Sequence, residues 1–272
     1  MYHFCNVFAT QNACAARACC VLLSQKLNGM KASKIIFLAL LLLLFVPASA
    51  KRTKSQNTHE YMDLGLSVNW ATCNVGASKP EEDGKYFAWG ETETKTSDYL
   101  FTDYKWYVIE ASGLDTINNV YVFSFSRYNH EDGKTNLDAE DDVAHVQWGG
   151  NWRMPTKEEC QELIDSCTCT WEIVNGVNGI RFTSKKKGYE DRSVFMPATG
   201  YHNMYSTESN HMTHRGNVVQ LYSSTKDSNN DDYAFVINCG RWSEYQKTII
   251  PEVSFVSRCT AQFVRPVCPK IK

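Results

Sequence analysis

The chain has 272 residues, 28 basic and 30 acidic, for a formal net charge of −2. Hydrophobic residues make up 43% of it, enough for one sizeable domain with a real core. The balance of charge excludes the basic footprint that a nucleic-acid partner needs.

The first fifty residues read as targeting, not fold. Ile35 to Val46 is an unbroken apolar run, with Lys31 and Lys34 before it and Ala48-Ser49-Ala50 after it. A basic start, a short apolar core and a small-x-small end make a signal peptide at 30–50, cleaved after Ala50. A membrane anchor needs about 20 apolar residues, and this run stops short before Lys51 and Arg52, so no membrane span is expected after cleavage. No cysteine follows the run to take a lipid. Met30 stands directly before the basic start. Residues 1–29, with Cys5, Cys14, Cys19 and Cys20 and no periodicity, read as an extension ahead of the true start. Residues 51–60 are a polar, flexible leader, and 61–272 are the domain. The first fifty residues hold four of the 28 basic residues and no acidic one, so the mature chain carries 24 against 30, a net of about −6. Seven cysteines remain: Cys73, Cys160, Cys167, Cys169, Cys239, Cys259 and Cys268. They form no CxxC pair and no zinc spacing. Several buried thiols with one or two bridges are expected, and an odd count leaves at least one thiol unpaired in a monomer.

Alternation from Leu64 to Trp70 predicts a half-buried strand. Gly76 to Gly84, with Pro80, is a turn region, and Tyr86 to Gly90 a short aromatic strand or bend. From Glu91 to Lys134 the pattern weakens, save for a strand-like island at Val120 to Phe125. A helix follows, capped by Asp138, with Asp141 at its third position and Val143, Ala144 and Val146 on its apolar side. The acidic cluster Asp138, Glu140, Asp141 and Asp142 is read as capping in preference to calcium, since the EF-hand glycine and final glutamate are absent. Gly149-Gly150 ends that helix. Thr156 to Glu159 is a T-x-x-E capping box behind Pro155. Cys160, Leu163, Ile164 and Cys167 then form one apolar stripe.

After Trp171 the pattern turns to β. Trp171–Val174 and Gly179–Thr183 flank an Asn175-Gly176 hairpin turn. Further strands are expected at Ser193–Ala198, Val218–Ser224, Tyr233–Asn238, Val253–Val256 and Ala261–Val267. Polar loops lie between them at 200–216, 225–232 and 240–248. One strand, two helices and then many antiparallel strands make an α+β fold, with the helices segregated from a twisted sheet.

Several segments resemble a known family. They are Tyr61 to Ala77 (YMDLGLSVNWATCNVGA), Tyr86 to Glu91 (YFAWGE), Glu140 to Ala144 (EDDVA), Phe195 to Tyr201 (FMPATGY) and Val264 to Val267 (VRPV), which follow one another in order across nearly all of the mature chain. This set is similar to the Fibrobacter succinogenes major paralogous domain family and to related exported domains of gut Bacteroidetes. The resemblance implies a variant of the C-type lectin-like fold: two helices, N- and C-terminal strands paired in one sheet, and long loops presenting a binding face. The R-x-P-T-x-x-E run from Arg153 to Glu159 is similar to the start of that fold's second helix. The chain departs from the family at Leu221-Tyr222-Ser223-Ser224, where a Tyr-Trp-Ser-Ser segment is frequent. The calcium-and-sugar triplets of true C-type lectins are absent, and so is the copper-binding cysteine arrangement of formylglycine-generating enzymes. Neither calcium-dependent sugar binding nor oxidase chemistry is implied, and no cofactor is expected.

Candidate site residues fall in the late loops. His202, His211 and His214 share one loop, in no metal-ligand spacing. Tyr201, Tyr205, Tyr222 and Trp242 offer aromatic faces beside polar residues, which suits sugars and peptides; for Tyr201 and Tyr222 a place at the edge of the core is the competing reading. Asp231 and Asp232, near Asp227, Asn229 and Asn230, either collect calcium or make a turn. The candidate ligand-binding set is Tyr201, His202, Asn203, Tyr205, Arg215, Tyr222, Asp231, Asp232, Arg241 and Trp242. The expectation is a non-enzymatic exported recognition domain, in the periplasm, at the cell surface or outside the cell, that binds a glycan or a surface protein. The alternatives are a polysaccharide-acting enzyme and a structural part of an adhesive assembly. No motif specifies the oligomeric state.

Overall fold

The computed structural model describes residues 59–96, 98–109, 123–202, 212–240 and 249–270. Residues 1–58, which include the expected signal peptide and most of the expected leader, lie outside them. The chain runs through β1 (Tyr61–Met62), β2 (Val68–Ala71), β3 (Tyr86–Phe87), a 3-10 turn (Phe101–Asp103), β4 (Tyr107–Ile109), β5 (Phe123–Phe125), α1 (Val143–Trp148) and α2 (Lys157–Ser166). It continues through β6 (Cys167–Val174), β7 (Val177–Ser184), β8 (Ser193–Pro197), β9 (Tyr201–His202) and β10 (Met212–Thr213). The last strands are β11 (Val218–Lys226), β12 (Tyr233–Gly240), β13 (Glu252–Ser257), β14 (Gln262–Phe263) and β15 (Val267–Pro269). Mostly sheet, with two helices among the described residues, the fold is α+β. None of the described helices is long and apolar enough to cross a membrane.

The longest strands build the centre. β11 and β12 pair antiparallel from Val218↔Gly240 to Lys226↔Ala234, and the central sheet has the order β13-β12-β11-β14-β3. A second sheet, β1-β2-β15, joins the two ends of the domain, and a third is β6-β7-β8. In β6–β7 the Asn175-Gly176 turn has φ of 48° and 83°, the left-handed pair that a two-residue hairpin requires. Two apolar clusters fill the space between these sheets, one around Trp89, Tyr104, Tyr128 and Tyr222, the other around Trp70, Leu163, Phe182 and Phe263.

The second helix forms as its sequence dictates. Glu159 N donates to Thr156 Oγ1 at 3.3 Å, and Thr156 N donates to Glu159 Oε2 at 2.9 Å. α2 packs on β11, β12 and β13 and on β6 and β7. Cys160 and Leu163 are fully buried beneath it, and burying the leucine alone contributes about 2 kcal/mol. Cys167 is also buried, but as the first residue of β6. The segment before α2 ties two sheets together: Arg153 exchanges both backbone bonds with Val267 of β15, and Ser224 N of β11 donates to Pro155 O at 2.7 Å.

The first helix departs from expectation. Its cap is Asp142, not Asp138: Asp142 Oδ1 accepts from Ala144 N at 2.9 Å and His145 N at 3.1 Å. The same carboxylate accepts from Met154 N through Oδ2 at 2.8 Å, a tertiary bond that selects it. Val146 faces solvent, and Asp138 turns instead to Arg127 and Lys134. The strand expected over Leu64–Trp70 is shorter and buried on both faces, because β2 lies between β1 and β15. Of the Val120–Phe125 island, Phe123–Phe125 is a strand, and 120–122 lie outside the described residues. The strand expected over Ala261–Val267 is two strands. β14 belongs to the central sheet and β15 to the terminal one. Between them the buried Arg265 donates to Asn74 Oδ1 at 2.8 Å and to Ala71 O at 3.1 Å, anchoring the crossing. All seven cysteines among the described residues are free thiols, so the expected bridges are not formed.

Candidate functional site

One end of the central sheet gathers polar groups around a cleft. Gly200, at φ 67°, turns the chain from β8 into β9, and an added Cβ there would sit 2.2 Å from Thr213 O. Only glycine lets these two backbones approach so closely. Gly200 N donates to Val218 O at 2.8 Å, and Gly216 N to Ala198 O at 2.7 Å. This fixes the β9–β10 pair against the start of β11. The rings of Tyr201 and His214 lie 5.8 Å apart. Arg215 is exposed and its Nε donates to Asp83 Oδ2 at 2.7 Å. Asp83, Arg215, Asn178, Ala198 and Gly176 line a cleft of about 280 Å³. Asn178 is held there by its own amide, which donates to Gly216 O at 2.9 Å. Guanidinium has five N–H donors; Arg215 uses one on Asp83, and its Nη atoms have no protein partner among the described residues.

The ten candidate residues do not share one surface. Tyr201 and Arg215 are at this end. His202 is 1% exposed, stacked on Tyr86 at 5.4 Å. Tyr222 is also 1% exposed, its hydroxyl 2.9 Å from Ser257 O and 2.8 Å from Thr260 O. Of its two readings, Tyr222 takes the core one, with burial raising its pKa far above the phenol range. Asp231 and Asp232 sit at the opposite end of β11, about 26 Å away at the rise of an extended strand. Asn203, Tyr205, Arg241 and Trp242, like His211, lie outside the described residues.

The acidic candidates are engaged in structure. Asp231 pairs with the buried Lys226 at 2.6 Å and with His130 Nδ1 at 3.1 Å, and it accepts from His130 N at 2.9 Å. Burial works to raise its pKa, but these bonds together outweigh it and hold the carboxyl below its ordinary value. Asp232 is shifted the other way, by burial first and then by Asp231. Asp227 and Asn230 accept from backbone N–H groups two residues on, which is turn chemistry. Asp138, Glu140 and Asp141 do converge closely enough to hold an ion. Arg127 already reaches all three, at 2.7, 2.8 and 2.8 Å, and Lys134 and Lys105 add their charges. Three cations against three carboxylates leave calcium no excess negative charge to bind.

A second, larger cleft of about 360 Å³ opens where sequence reasoning saw only structure. It lies between α1 and the Gly150–Arg153 turn, with Asp142, His145, Asn151, Trp152 and Arg153 among its walls. Asp142 is 5% exposed, and burial raises its pKa despite three backbone donors. His145 Nδ1 is 3.3 Å from Trp152 O. Arg153 makes a two-pronged bond to Glu159, at 2.7 and 2.5 Å. Behind this wall Trp148 and Trp152 meet edge to face at 5.0 Å, and His59 stacks on Trp148 at 3.7 Å. The sequence signal for this cleft was Asp142 and His145 at i, i+3, beside a Gly-Gly break and a Trp-Arg pair.

No protein-family model, curated protein or solved structure matches the chain.

Proposed function

We propose that the chain is an exported recognition domain, a C-type lectin-like variant of the Fibrobacter succinogenes major paralogous type, that binds a glycan or protein ligand at the cell envelope or outside the cell. The segments quoted above support the family reading. So do the α+β architecture and the pairing of β2 with β15 near the domain's two ends. The apolar run at 35–46 supports export. The observation that carries the binding role is Arg215: an exposed guanidinium with donors that no described residue uses, held by Asp83 over a cleft that also offers the Asn178 amide, with the paired Tyr201 and His214 rings at the same end of the sheet. A donor fork, a carboxylate and an amide serve the vicinal hydroxyls of a sugar, and the rings serve its C–H face.

A glycan and peptide array on the mature protein, with and without chelator, tests the class. Binding that survives chelator is expected. Arg215→Ala is expected to weaken it roughly 10- to 100-fold, the loss of one or two charged hydrogen bonds. Turnover of a polysaccharide with no binding elsewhere would favour the enzyme reading. Undiminished binding in both Arg215→Ala and Tyr201→Ala would reject this surface.

A further inference from the structure

The cleft beside α1 has a defined chemistry of its own. Asp142 carries a charge, but its two oxygens are taken up by the N–H groups of Ala144, His145 and Met154. It locks the helix to the Met154 segment, with three of its roughly four acceptor positions used within the protein. Arg153 carries the opposite charge and spends it on Glu159. The cleft therefore offers an anionic ligand no free cation, and its one carboxylate is buried and already bonded to three N–H groups.

What remains on the wall is neutral hydrogen-bonding capacity. A ring nitrogen that approaches a carbonyl must carry the proton, so the contact from His145 Nδ1 to Trp152 O puts the hydrogen on Nδ1. In the neutral ring Nε2 is then the acceptor, and no described residue donates to it. Asn151 is exposed and supplies an amide. Leu137, Trp152 and Pro269 contribute apolar surface to the same cleft. The volume lies at the lower end of the range for small-ligand pockets.

We infer that this cleft is a second binding site, for a neutral, hydroxyl-bearing small ligand such as a single sugar unit or a polyol, with His145 Nε2 accepting from a ligand hydroxyl and Asn151 donating. It is independent of the site at Arg215, because the two clefts share no residue.

The test is NMR on the mature protein, following the His145 ring nitrogens and the Trp152 indole during titration with glucose, galactose, mannose, N-acetylglucosamine and glycerol into the millimolar range. Without ligand, the spectrum of the neutral ring is expected to report the hydrogen on Nδ1. At least one probe is expected to shift both signals saturably. His145→Phe is expected to weaken that probe about tenfold, the loss of one hydrogen bond. Asn151→Ala alters an exposed turn residue, cannot fail by unfolding the core, and is expected to weaken it several-fold. Arg215→Ala is expected to leave it unchanged. No saturable shift with any probe would overturn the inference. So would affinity undiminished in both His145→Phe and Asn151→Ala, or affinity lost in Arg215→Ala. Failure here leaves the array result at the Arg215 surface untouched.

Discussion

Replacing Arg258 by methionine tests how the larger aromatic cluster is held. Arg258 is fully buried. Its Nε donates to Tyr104 Oη at 2.9 Å, Nη1 to Tyr128 O at 2.8 Å and to Asp231 O at 3.2 Å, and Nη2 to Arg127 O at 2.9 Å. Phe125, Trp89, Tyr104 and Trp106 surround it, with ring centroids 4.4, 5.0, 5.4 and 5.6 Å from the guanidinium carbon. Its partners are carbonyls, a phenol and ring faces, not a carboxylate. Methionine keeps the length and the apolar contact but removes every donor. Three carbonyls lose their Arg258 donor at about 1–3 kcal/mol each, and the cation–π contacts account for about 1–2 kcal/mol more. Against this, the variant no longer desolvates a cation, which returns several kcal/mol. A net loss near 3 kcal/mol is expected, and for a domain of this size that lowers Tm by about 6–12 °C. Urea and thermal unfolding followed by near-UV circular dichroism reads this directly, because Trp89 and Trp106 are in the cage. Arg258→Lys is expected to be no better, since a compact, strongly hydrated ammonium replaces a fork that reaches carbonyls on two segments and a phenol on a third. A methionine variant as stable as the wild type would show that desolvation dominates and that the cage does not depend on these bonds.

Three other outcomes follow from the same contacts. Thr156→Ala removes the side-chain half of the α2 capping box and should lower stability by about 1 kcal/mol in urea titration. Asp231→Asn removes a carboxyl whose folded pKa is held below its ordinary 3.8; the stability it adds is present above that value and lost as the pH falls through the lower folded one. The variant should therefore be weaker at neutral pH, on the order of 2 kcal/mol, and converge on the wild type in acid. In alkylation at neutral pH, native Cys160 should resist, since it is fully buried and burial pushes its pKa far above the thiol range. The half-buried Cys268 and Cys169, the latter with a pKa of about 11, should react first, and all seven should label in urea; a mass deficit showing a bridge would contradict the free thiols.

What was legible in the sequence was local. The capping box needs four consecutive residues and the hairpin turn two, so each carries its own instruction. The cap of α1 was not legible, because Asp138, Asp141 and Asp142 each satisfy a local capping rule, and only the bond from Met154 N chooses among them. The break between β14 and β15 was hidden for a related reason. Ala261–Val267 has a plausible strand pattern, and its change of sheet is set by Arg265 reaching back to Ala71 and Asn74. The cleft at the sheet end is assembled from Asp83, Asn178 and Arg215, residues far apart in sequence, so no spacing could announce it. Of that set only Arg215 stood out, and it did so by lying near aromatic residues in a long loop.

The stretch from Trp148 to Arg153 shows a different kind of illegibility. Every part of it satisfies a structural rule: two tryptophans that pack, a Gly-Gly break, an arginine that pairs with the capping glutamate. Reading those rules as a complete account turns attention away from it. Yet a side chain fixed on one side is what a binding wall requires on the other. Asp142 and Trp152 are buried and bonded, and for that reason the His145 ring is held with its Nδ1 hydrogen committed to Trp152 O. The same contacts that make the stretch structural leave Nε2 as the acceptor of the neutral ring, and preorganisation of this kind lowers the cost of binding in the proposed cleft.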